Sequence, residues 1–383
     1  MAELTSDVWT VDSYEEGQEF LHNKGWTDGL PVVLPTAEKV TEFLTVAGLS
    51  PDEIIGQIPE RNRVITAEKA AINAIMAGCR ADYFPVVVAA VRGVTDPKFE
   101  FNHLASMGSP WPVLIISGPV VKALDLNHKE WMFGPGGRAN AAIGRAFSLI
   151  LWNLAELKPT GVQRGTYGNP LRWNSGLVAE DPATPTGDSL REHLGFESEE
   201  STVTVFSNCG SFTQPWIMKP DITETLHGIA DAIVGGSGNF NRGVYTIVLA
   251  PPIVDRIKGA GMSLGDARAW LMENTGRSLA SLKRRGFPPA GDAHRLWGTK
   301  KGAPTGDKFH DDIVAGVTAP EDRDDFIALF GTNPGKDELI WSESQLTRES
   351  DIYFVTAGAD ASYGCIVLSE YDVSTNPVTV PIR

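Results

Sequence analysis

Three times in this 383-residue chain a short apolar run stops at proline and an amphipathic stretch begins at once. Pro31–Leu34 leads through Pro35 to Ala37–Ala47. Pro112–Ile116 leads through Gly118-Pro119 to Val120–Leu126. Tyr245–Leu249 leads through Pro251-Pro252 to Ile253–Lys258. Four or five apolar residues are too few for a helix and suit a buried strand. Proline lacks an N–H and has a fixed φ, so a helix accepts it only in its first turn; the break and the helix start are one event. This restricts the chain to an α/β fold, with mixed sheets flanked by helices and built from repeated strand–Pro–helix units. The unequal spacing argues against a solenoid. Internal duplication and chance recurrence of a common α/β phrase both fit.

Helix-patterned stretches fill the intervals: Tyr14–Asn23, Ala70–Ala77 opened by Thr66, Arg138–Leu157, Thr223–Ile233, and Ser263–Leu282 with Asp266 in its first turn. Further strands are expected at Thr202–Phe206, Ile352–Thr356 and Cys365–Leu368. Two polar stretches, Thr160–Glu200 and Pro288–Lys308, exceed ordinary loop lengths and read as lids, binding loops or oligomer contacts. The first sets the expected division: residues 1–200 as one α/β domain with a glycine-rich turn and a lid loop, residues 201–383 as a second with a Cys-Gly-Ser turn.

Charge narrows the partners. With 33 Lys+Arg against 48 Asp+Glu the formal charge is −15, which disfavours nucleic acid and anionic membrane surfaces. Three cysteines cannot build a disulfide framework. The first residues show no secretory pattern, and no apolar run reaches the ~18 residues of a membrane span. A cytoplasmic chain, associating as a homo-oligomer, is the expectation.

Four features carry candidate chemistry. In Phe133–Arg145 a glycine-rich turn feeds a long helix. Gly136 and Gly137 allow close backbone approach, free helix N–H groups favour an anion, and Arg138 and Arg145 share one helix face as a clamp for carboxylate or phosphate. Asn140 points elsewhere. This is neither a Walker A loop nor a dinucleotide fingerprint, and no cofactor is expected. Secondly, the strand at Val203 delivers Cys209 and Ser211 into a small-residue turn, where a thiolate can form, with His193 or His227 as base. Thirdly, the long loop brings Tyr167 and the carboxylates Glu180-Asp181, with Glu180 the candidate acid/base. Fourthly, Val355–Gly364 runs from a strand into a Gly/Ser turn. Neither His-x-x-x-His nor Cys-x-x-Cys spacing occurs, so no compact metal site is expected; a dispersed set of His103, His128 and Glu180 is the metal-dependent alternative.

Several phrases together resemble a bacterial family associated with the UGSC (seleno)proteins: Asp28-Gly-Leu-Pro-Val-Val33, Glu68–Cys79 with Pro85–Val88, the Gly134–Arg145 turn, and the ending Asp351–Gly364 with Pro377–Arg383. Asn208-Cys-Gly-Ser-Phe-Thr213 is similar to that family's Sec/Cys-Gly-Ser-Cys motif, with Phe212 in place of the second cysteine. The resemblance implies a small-molecule enzyme or enzyme subunit, and directs attention to Asn73 and Cys79 beside Arg138, Asn140 and Arg145. The expected activity is cleavage or rearrangement of a carbon–heteroatom bond, lyase or hydrolase in type, on a small anionic substrate. The alternative is a half-site subunit that docks a thiol or selenol partner protein.

Overall fold

Hydroxyl side chains start several of the helices. Ser13 Oγ accepts from Glu16 N at 3.1 Å, Thr36 Oγ1 from Lys39 N at 3.4 Å and Thr66 Oγ1 from Lys69 N at 3.5 Å. Ser263 and Asp266 form a reciprocal capping box. The computed structural model describes residues 3–105, 109–159, 165, 168–173, 175–208, 212–213, 215, 221–236, 244–278, 326–328, 352–360, 364–369 and 376–383.

In chain order the helices are α1 (Tyr14–Asn23), α2 (Ala37–Ala47), α3 (Ala67–Met76), α4 (Phe84–Val94), α5 (Val120–Ala123), α6 (Arg138–Asn153), α7 (Leu190–His193), α8 (Ile222–Gly236), α9 (Pro251–Gly259) and α10 (Leu264–Asn274). The strands are β1 (Ile54–Ile58), β2 (Arg63–Thr66), β3 (Trp111–Ser117), β4 (Val178–Ala179), β5 (Thr202–Asn208), β6 (Phe212–Thr213), β7 (Tyr245–Leu249), β8 (Gly276–Ser278), β9 (Phe326–Ala328), β10 (Ile352–Thr356), β11 (Cys365–Ser369) and β12 (Val378–Pro381). None of these helices is long and apolar enough to cross a membrane.

Two four-stranded mixed sheets organise the molecule, in the orders β12-β5-β3-β4 and β10-β7-β11-β6. Among the described strands, β3/β4 and β10/β7 are the parallel pairs. Alternate residues of β7 and β10 enter different cores. Tyr245, Ile247, Leu249, Ile352 and Phe354 pack with α8, α9 and α10, whereas Val248, Tyr353 and Val355 join the larger core under the first sheet. β7 and β10 are therefore buried on both faces, which explains their unbroken apolar runs. The first sheet draws β3 and β4 from before residue 200 and β5 and β12 from after it, so the expected division falls between strands of one sheet.

The expected unit of strand, proline and helix forms at β3–α5 and at β7–α9 but not at the first position. Pro31–Leu34 stays outside any sheet because side chains and a helix end take its backbone groups. Gln18 Nε2 and Tyr14 Oη donate to Val32 O at 2.5 and 3.1 Å, Val32 N donates to Gln18 Oε1 at 2.9 Å, and Val33 N donates to Met76 O at 3.1 Å. A unit repeated three times is thus not what the chain builds. Two helices also end early. α6 stops at Asn153, four residues before Leu157, and α10 at Asn274, after which Thr275 is extended and β8 begins.

Candidate active site

The parallel pairs decide where a pocket opens. The C-terminal ends of β3, β4, β7 and β10 meet where the two sheets adjoin. Asp181 N donates to Thr356 O at 2.7 Å, Ala357 N to Leu249 O at 2.9 Å, and Gly358 N to His128 O at 2.8 Å. These bonds tie β4, β10, β7 and the loop after α5 around a cleft of about 760 Å³. His128, Lys129, Asp181, Thr184, Lys258 and Thr356 are among the residues that line it. The strand-end position is where open α/β sheets accept ligands. The N-terminus of α9 on its wall offers little to an anion, because Pro251 and Pro252 remove its first two N–H groups.

Within the cleft a histidine faces a carboxylate. His128 Nε2 lies 3.7 Å from Asp181 Oδ1, and both side chains are mostly buried. His128 Nδ1 sits 3.2 Å from Leu126 O. A carbonyl only accepts, so this hydrogen bond holds a proton on Nδ1 and turns Nε2 toward Asp181 and the cleft. Asp181 is itself fixed by Ala183 N, which donates to Oδ1 at 2.8 Å. The loop carrying His128 is clamped from α6: Asn140 Oδ1 accepts from Asn127 N and Asn140 Nδ2 donates to Asn127 O, both at 2.8 Å. Lys129 pairs with Asp360 at 2.8 Å, and Lys258 with Asp188.

Glu180, beside Asp181, faces inward instead. It is 1% exposed and does not line the cleft. Its Oε1 accepts from Leu190 N at 2.8 Å at the start of α7; Oε2 has no hydrogen-bond partner, and Arg191 Nη1 stands 3.8 Å away. Burial pushes the carboxyl up to about 7, against the opposing pull of the Leu190 amide, Ser117 and Arg191. His193 lies at the other end of the single-turn α7, its ring edge-on to Tyr353 at 6.3 Å.

The expected anion clamp does not assemble. Arg145 closes a bidentate pair on Asp28, with Nε to Oδ2 and Nη2 to Oδ1 both 2.8 Å, and Nη2 also donates to Pro31 O at 2.9 Å. That pairing fastens the Asp28–Val33 segment to α6 and removes Arg145 from ligand binding. Arg138 is exposed at the first position of α6, after Gly136 at φ +114° and the N-cap Gly137. Asn140 braces the His128 loop. Cys79 donates Sγ–H to Ala142 O at 3.3 Å, and burial raises its thiol pKa despite the nearby Arg138, so it is a packed thiol and not a thiolate. Asn73 is buried, bonded to Lys69 O and Asn153 at 2.9 and 2.8 Å. Tyr167, Cys209 and Ser211 lie outside the described residues. Asn208, which precedes Cys209, pairs with Trp111 at the start of β3, whereas Thr202 pairs with Ser117 at its end, beside Glu180. The Asn208 end of β5 is therefore about 20 Å from the Glu180 end.

His103 pairs with Glu100 at 3.4 Å, and among the described residues no group of three His, Cys, Asp or Glu side chains is placed to hold a metal ion. Asp181 is the residue that sequence reasoning passed over. An extended chain sends neighbours to opposite sides, so Glu180-Asp181 signalled one buried and one cleft-facing carboxylate without saying which. Comparison with known proteins finds no matching family model, no matching curated protein and no matching solved structure.

Proposed function

We propose that the chain is a small-molecule enzyme that cleaves or rearranges a carbon–heteroatom bond, lyase or hydrolase in type, at the strand-end cleft. One observation carries this reading: His128 Nε2 faces Asp181 Oδ1 at 3.7 Å in a cleft of about 760 Å³. Nε2 takes a proton from substrate or from an attacking water, and Asp181 stabilises the resulting imidazolium. The same proton then passes to the departing heteroatom. An anionic group on the substrate meets Lys122, which is exposed in the cleft wall. Glu180 anchors α7 behind the site and takes no proton from substrate.

The test is a panel of carboxylate-bearing esters, amides and β-substituted acids, followed by proton NMR with the purified chain and with His128→Gln. Any reaction found falls about 10²- to 10⁴-fold in the variant at unchanged melting temperature. A reaction that proceeds at the wild-type rate in His128→Gln removes the assignment.

A further inference from the structure

The end of β3 remote from the cleft holds an arginine that no part of the proposed reaction uses. Arg172 sits in the helical turn Pro170–Trp173, whose backbone is fixed from several sides. Leu171 N donates to Asn169 Oδ1 at 3.0 Å and Arg172 N to Asn169 O at 3.0 Å, while Asn169 Nδ2 bridges Ser109 O and Asn208 O at 3.1 and 3.2 Å. The guanidinium carbon lies 4.8 Å from the centre of the Trp111 ring system. Trp111 is itself buried, with its indole N–H held between Ser148 Oγ and Ser175 Oγ at 3.3 and 3.2 Å. Stack and turn together hold the guanidinium in one orientation.

Its Nε and Nη2 are shielded from solvent and have no hydrogen-bond partner. Burial lowers the pKa of Arg172, and among the described residues no charge opposes that shift. Nε and Nη2 form the edge with which a guanidinium grips two oxygens in parallel. The molecule shows that use elsewhere: Arg145 presents the same edge to Asp28, with both bonds at 2.8 Å. In Arg172 the equivalent edge is oriented and shielded from solvent, and neither nitrogen is bonded. A desolvated cation without a counter-charge is costly, and an oxyanion seated on two parallel N–H groups removes that cost.

We propose that the Nε/Nη2 edge of Arg172, backed by Trp111, is a second ligand-binding point that takes the carboxylate or phosphate group of a small molecule. It is separate from the His128 cleft by about the length of β3, some 20 Å, and stands whether or not the cleft is catalytic.

Thermal unfolding of the full chain is followed with added sodium acetate, sodium phosphate or sodium chloride at matched ionic strength. Acetate or phosphate, at about ten times its Kd, raises the melting temperature by about 2–4 °C over chloride. Arg172→Met abolishes the increment. Arg172→Lys keeps the charge without the bidentate edge, requires at least tenfold more anion for the same increment, and decides the matter should the methionine variant fail to fold. A response to acetate alone assigns a carboxylate ligand; a response to phosphate assigns a phosphate. No increment over chloride in the wild type, or an undiminished increment in the lysine variant, overturns the proposal.

Discussion

Glu180 keeps its proton at pH values where an ordinary carboxyl is ionised. Its folded pKa stands at about 7 against an ordinary 4.5, because burial outweighs the Leu190, Ser117 and Arg191 interactions. The native chain then binds more protons than the unfolded chain between those values, so stability falls as pH rises through that window and levels off above 7. The difference amounts to roughly 3 kcal/mol. Glu180→Gln removes the titration while keeping a neutral group of similar shape. Unfolding free energies from urea titrations are expected to favour the variant more at pH 8 than at pH 5, by most of that amount. An equal difference at both values contradicts the assignment. At this scale the sequence identified residue types better than roles. Arg145, Asn140 and Cys79 each stand in a conspicuous motif, and each is engaged by a partner 13 to 117 positions away. Long-range pairing of this kind leaves no trace in local spacing.

Elements are legible where local chemistry decides them. Tyr14–Asn23 and Ala37–Ala47 form with the bounds read from their patterning, and β7, β10 and β11 follow their apolar runs. α4 has no such signal. Phe84-Pro-Val-Val-Val-Ala-Ala-Val is rich in β-branched residues, yet it is helical because nearly all its side chains are buried against β5, β12 and neighbouring helices. The turn from β3 into α5 makes a sharper test. Gly118 has φ +102°, and a Cβ there would lie 2.4 Å from Glu200 O and 2.9 Å from Ser201 Cα. Gly136 has a similar φ of +114° with nothing within 4 Å. Both alanine variants incur the backbone strain of a positive φ, about 1 kcal/mol. Only Gly118→Ala adds a clash with backbone, and its total is expected at about 3 kcal/mol. Chemical denaturation that ranks the two equally would show that the Glu200–Ser201 segment yields freely.

For the whole molecule, the first sheet decides how the chain divides. Composition points to a boundary near residue 200, because the stretch before it is polar and loop-like. Hydrogen bonding crosses that point without pause: β5 pairs along its full length with β3, from Trp111↔Asn208 to Ser117↔Thr202. β12 then covers the far edge of β5, with Thr379 and Thr204 hydroxyls 2.9 Å apart. Gly93 of α4 packs closely against both strands, since a Cβ there would stand 2.9 Å from Val205 and 3.5 Å from Val380. Separating residues 1–200 from 201–383 therefore strips β3 of a seven-residue partner and uncovers α4. Bare strand edges and an exposed apolar helix face favour aggregation over independent folding. Neither fragment expressed alone is expected to unfold cooperatively in urea, whereas the intact chain does. Co-expression of the two is expected to restore a cooperative complex through the β3–β5 ladder. A sharp, reversible transition in isolated 201–383 would mean that β7, β10 and β11 with α8–α10 suffice as a core, and that the first sheet is only an interface.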